Sequence, residues 1–103
     1  MTRLQVVKID LSRVTSSGEL HSTLSDALGF PGWYGCNWDA FWDAITGLVQ
    51  MPTQLKISGW DTLSRRLPDD ARLMQECLAA MKMEYPELAS EVEFDAGSPD
   101  PIA

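Results

Sequence analysis

The stretch from Trp33 to Gly47 constrains this chain more than any other part of it. Three of the four tryptophans and one of the two tyrosines lie there. Gly35 interrupts the preceding chain, and Asn37 is a strong helix N-cap residue. From Trp38 onward, Trp38, Phe41, Trp42, Ile45, Leu48 and Val49 recur at i, i+3, i+4, i+7, i+10 and i+11. That spacing predicts a helix with one apolar face, running to about Gln50 before Pro52. Asp39, Asp43 and Thr46 fall on a different face, with small Ala40 and Gly47 beside them. Such a segment must bury its aromatic side and leave a low, acidic side accessible.

The remaining chain supplies the cover. Leu4–Ile9 reads as a strand of β-branched residues ending at Asp10. Ser16-Ser17-Gly18-Glu19 has the form of a capping box, and Leu20, Leu24 and Leu28 then mark a helical stripe, widened by Ala27. Gly29 suits a left-handed C-terminal position and Pro31 prevents the helix from resuming. Thr53–Ser58 reads as a second strand, with Leu55 and Ile57 on one side and a less buried face on the other. A short helix or turn follows around Trp60 and Leu63. Pro68, Asp69 and Asp70 open another helix, whose stripe is Leu73, Met74, Cys77, Leu78 and Met81. Tyr85-Pro86 ends it, and Ser90–Phe94 reads as a weak third strand. Strands alternating with helices predict an α/β fold: a small three-stranded parallel sheet packed with three to four helices. Residues 1–95 are expected to form one domain and 96–103 a loose tail.

Composition narrows the function. The chain has 103 residues, is 45% hydrophobic and carries a formal net charge of −7. Phosphate backbones repel such a surface, so direct nucleic-acid binding is disfavoured and cationic protein partners are favoured. No stretch has the length and apolarity of a membrane span or a signal peptide. Cys36 and Cys77 form neither a disulfide framework nor a metal-binding spacing. A cytoplasmic location is the simplest expectation.

Catalytic chemistry is hard to assemble from these residues. His21, the single histidine, is expected on the exposed side of the first helix, without a metal-binding or acid–base partner. No nucleophile elbow, phosphate loop or dinucleotide fingerprint is present. Cys36 has no obvious base. No catalytic residue, metal ligand set or cofactor is therefore expected. Asp39 and Asp43, one helical turn apart, remain. As a Mg²⁺ site, with or without Glu84, they would lack a supporting lysine, histidine or phosphate loop. As acids in the first half of a helix they suit the dipole, but Asp43 stands about two turns in, where that effect has decayed. Unobstructed carboxylates flanked by Trp42 and Thr46 suit a protrusion that enters another protein's pocket. A regulatory adaptor could use the same helix without inhibiting anything. Trp33 and Tyr34, in the loop before the helix, are either core plugs or interface anchors; Phe41 is expected in the core.

Tyr34-Gly35, Asn37, Asp39, Ala40, Trp42-Asp43 and Thr46-Gly47 resemble the signature of the barstar family, small intracellular inhibitors of secreted microbial ribonucleases. The similarity extends from about Leu20 to Glu84 and includes Leu24, Pro31, Pro52, Leu55 and Lys82. The resemblance implies a barstar-like parallel sheet with helices. It implies a non-enzymatic protein that binds a basic ribonuclease, or another toxin, one-to-one. By the same resemblance Asp43 is the acidic residue that enters the enzyme's phosphate site, and Asp39 is its partner one turn earlier. Trp33, Asn37, Trp42, Thr46, Gly47 and Glu84 are further contact residues. The family prototype also has an acid at position 36, a tryptophan at 48 and an acid near 80; here these are Cys36, Leu48 and Ala80.

Overall fold

The computed structural model describes residues 5–95. Leu4, the expected start of the first strand, and the expected tail from Ala96 lie outside the described residues. Strand β1 (Val6–Asp10) leads to helix α1 (Ser17–Leu28) and helix α2 (Trp38–Asp43), which continues as a π-turn (Ala44–Leu48). Strand β2 (Gln54–Ser58), helices α3 (Trp60–Arg66) and α4 (Pro68–Glu84) and strand β3 (Glu91–Phe94) complete the order. The three strands pair in the order β1-β2-β3, all parallel. This is the expected barstar-like α/β architecture.

Local chemistry explains the element ends. The Ser16 side chain accepts the Glu19 amide at 3.1 Å, while the Glu19 carboxylate takes the Thr15 amide at 2.9 Å. The reciprocal cap therefore reaches one residue further back than a standard capping box. Gly29 closes α1 in the left-handed region, at φ 74°. Gly59 is under a tighter constraint. Its φ is 72°, and a Cβ placed there would stand 2.4 Å from the Ser12 backbone nitrogen. Only glycine lets the β2–α3 turn pass this close to the chain leaving β1.

Register decides which sheet face is buried. Val7, Leu55 and Val92 align across the strands, as do Ile9, Ile57 and Phe94. Ile9, Leu55 and Ile57 are buried in the core. The intervening row, Lys8, Lys56 and Glu93, is polar and turns to the other face. One face thus packs on helices and the other meets solvent, as the alternation in β2 indicated.

Two expectations need correction. The helix from Asn37 does not continue regularly to Gln50. Its last turn is a π-turn, in which the Val49 amide reaches back to the Ala44 carbonyl at 3.1 Å. The wider turn changes the phase of the side chains. Phe41 and Ile45 keep their core positions, but Leu48 turns out and is 45% exposed. The stripe on α4 also divides. Met74, Leu78 and Met81 enter the core, Cys77 packs half-buried against it while also bordering an open groove, and Leu73 borders that groove.

Candidate functional site

Helix α2 packs beside α4, and the groove between them holds about 620 Å³. One wall is Trp38, Asp39, Trp42 and Asp43 from α2; the other is Leu73, Glu76, Cys77, Ala80 and Glu84 from α4. Among the described residues no lysine, arginine or histidine lines it. Asp39, Asp43 and Glu84 are exposed, and none of the three has a hydrogen-bond or ion-pair partner among the described residues. Glu76 does have one, the Arg72 guanidinium at 3.3 Å. Burial, together with the negative charges of Glu76 and Asp39, pushes the Cys77 thiol pKa up. Acidic side chains thus outnumber basic ones along this groove among the described residues.

Short-range contacts hold the α2 wall rigid. Asn37 caps the helix, its side chain accepting the Ala40 amide at 2.7 Å and donating to the Gly35 carbonyl at 3.3 Å. Thr46 donates its hydroxyl to the Trp42 carbonyl at 2.6 Å within the π-turn. The Trp38 indole donates to Asp70 on α4 at 2.9 Å, which fixes the separation of the two walls at one end. Cys36, just before the cap, adopts a left-handed φ of 54°.

The sequence-expected residues divide into two groups. Asp39, Trp42, Asp43 and Glu84 converge on the groove. Trp33, Asn37, Thr46 and Gly47 do not line it. Trp33 stands in the preceding loop, 73% exposed. Gly47 lies in the π-turn, where an added Cβ would meet nothing within 4 Å. Trp38, Leu73, Glu76, Cys77 and Ala80 line the groove without having been expected there, although the i, i+4, i+8 spacing of Glu76, Ala80 and Glu84 marks a continuous helix face.

His21 is the plainest correction. It is buried, not exposed, at 1% relative exposure. Its helix packs on two sides, against the core and against the aromatic loop. The ring Nδ1 lies 2.6 Å from the Tyr34 hydroxyl, and the Trp38 ring stands 4.4 Å away between centroids. Tyr34 is itself buried, with its hydroxyl donor best placed on that nitrogen. Burial pushes the His21 pKa below its ordinary 6.5; the nearby Asp70 carboxylate opposes this more weakly.

This arrangement predicts a pH dependence. Above pH about 6.5 the ring is neutral in both folded and unfolded chains. As pH falls below that, the unfolded histidine takes a proton that the folded one resists, so stability falls. The loss is complete once pH passes the depressed folded value. Chemical denaturation between pH 7.5 and 5 should show this decline, and His21→Gln, which keeps an acceptor for Tyr34, should flatten it. An equal decline in the variant would assign it to other groups.

A family model described as Barstar (barnase inhibitor) matches residues 4–96. The chain is also 37% identical over 70 residues to the "Putative ribonuclease inhibitor YrdF" of Bacillus subtilis (strain 168), a match covering 64% of this chain and 77% of that protein.

Proposed function

Because this chain belongs to the barstar family, we propose that it is a proteinaceous inhibitor, of the immunity or antitoxin kind. It blocks the active site of a basic ribonuclease, or of a related cationic toxin, with the α2 face of the acidic groove. The observation that carries this reading is the set of carboxylates, Asp39, Asp43 and Glu84, that line one groove and have no hydrogen-bond or ion-pair partner among the described residues.

The mechanism needs no chemistry from the inhibitor. A ribonuclease active site gathers cationic side chains where the scissile phosphate sits. The Asp43 carboxylate, presented on a capped helix, takes the place of phosphate oxygens and accepts charge-assisted hydrogen bonds, bidentate where the donor is arginine. Asp39 supports the same guanidinium cluster from one turn earlier. Since the cap, the Thr46 bond and the Trp38–Asp70 bond exist in the free protein, little ordering remains to be done on binding. The net charge of −7 draws a basic enzyme in. Trp33, Trp42, Thr46 and Gly47 provide the surrounding contact surface, Trp33 as an exposed aromatic anchor.

Titrating the protein into a small secreted guanyl-specific ribonuclease, with RNA cleavage as readout, tests the proposal. Cleavage should vanish at a one-to-one ratio. Tight binding with cleavage intact would replace the inhibitor with a regulatory adaptor using the same helix. Among the described residues no group of three or more His, Cys, Asp or Glu is placed to hold a metal ion.

A further inference from the structure

We infer that Tyr85 is a further, specificity-determining contact residue: with Trp42 and Glu84 it forms a seat for an arginine side chain of the partner. The inference rests on the inhibitor reading and deepens it. Tyr85 is the residue at which α4 ends, and its amide closes the helix on the Met81 carbonyl. That duty belongs to the backbone and does not require an aromatic ring. The ring is 44% exposed, so it contributes little to the core. It stands instead against Trp42, with ring centroids 6.4 Å apart and planes tilted by 44°. Trp42 and Glu84 both line the acidic groove, so Tyr85 extends the aromatic wall of that groove beyond its end.

The chemistry of the seat selects its occupant. An aromatic face beside a carboxylate offers two attractions to one planar cation. A guanidinium stacks on the ring and donates in its own plane to the carboxylate, whereas an ammonium does the two less well. An aliphatic side chain would cover the rings and leave Glu84 unpaired. Among the described residues no lysine or arginine lines the groove, and Lys82, two residues before Glu84, donates instead to Glu91 at 2.6 Å. The seat is thus open to an arginine from outside.

Calorimetry with the guanyl-specific ribonuclease compares the parent chain with Tyr85→Ala, Tyr85→Phe and Asp43→Ala, each checked for unchanged thermal unfolding. Tyr85→Ala should weaken binding about tenfold, while Tyr85→Phe, which keeps the ring, stays within about threefold. An unchanged affinity in Tyr85→Ala alongside a large loss in Asp43→Ala overturns the role of Tyr85 and leaves the inhibitor reading intact. No loss in either variant overturns both. Independently of any enzyme, hexa-arginine should quench tryptophan emission at lower concentration than hexalysine, and Tyr85→Ala should abolish the difference. Equal preference in parent and variant rules the seat out.

Discussion

Replacing Asp43 with alanine should weaken ribonuclease binding by more than about 2 kcal/mol, at least thirtyfold, while leaving the fold unchanged. The threshold is that of interface hot spots, a scale drawn in part from this family's own complex. Two features make the binding loss large. Asp43 is exposed and has no hydrogen-bond or ion-pair partner among the described residues, so its hydrogen-bonding capacity is available to a partner. In the complex its removal would leave buried guanidinium groups uncompensated, which costs more than the missing contact alone. The same exposure keeps the folding change within about 0.5 kcal/mol, the usual range for surface substitutions. Calorimetry and circular dichroism read the two quantities separately. Retained affinity would remove Asp43 from the interface.

A second large effect concerns the support beneath that face. Phe41→Ala should destabilise the fold by roughly 3–5 kcal/mol, the range for deleting a buried aromatic ring. Phe41 is fully buried on α2. It packs edge-on against Phe30 at 5.9 Å and Trp38 at 5.2 Å. Both neighbours belong to the segment that leads into or lines the groove. For a domain whose total stability is about 5–15 kcal/mol this is a major fraction. Urea denaturation should show a lower midpoint with an unchanged slope. A loss under about 1 kcal/mol would mean that the α2 aromatic side is not what anchors the site to the core.

The sequence carried the fold well where punctuation is local. Ser16, Gly29, Asn37 and Pro68 act within one helical turn of themselves, and both ends of α1 and the starts of α2 and α4 follow from them. Alternation in β2 indicated the sheet's two unlike faces for the same reason. What could not be read depends on contacts between distant segments. His21 is buried because Tyr34 and Trp38 converge on it from the aromatic loop and from α2. Leu48 points outward because the π-turn breaks the regular helical period on which its burial was inferred. Half of the groove was legible for a similar reason. Asp39 and Asp43 share one helix face, so spacing pairs them. Glu76 and Cys77 join them only through the packing of α4 on α2, and until then Cys77 reads as part of a core stripe.

Competition with a small active-site ligand decides whether the acidic face occupies a ribonuclease active site. Fluorescence anisotropy would follow binding of the labelled protein to the guanyl-specific ribonuclease while guanosine 3′-monophosphate is added. If both seek the same cationic pocket, nucleotide at a hundred times its own dissociation constant lowers the apparent affinity of the protein about a hundredfold. An affinity that stays constant as the nucleotide saturates the enzyme would place the protein elsewhere on its surface and contradict the account.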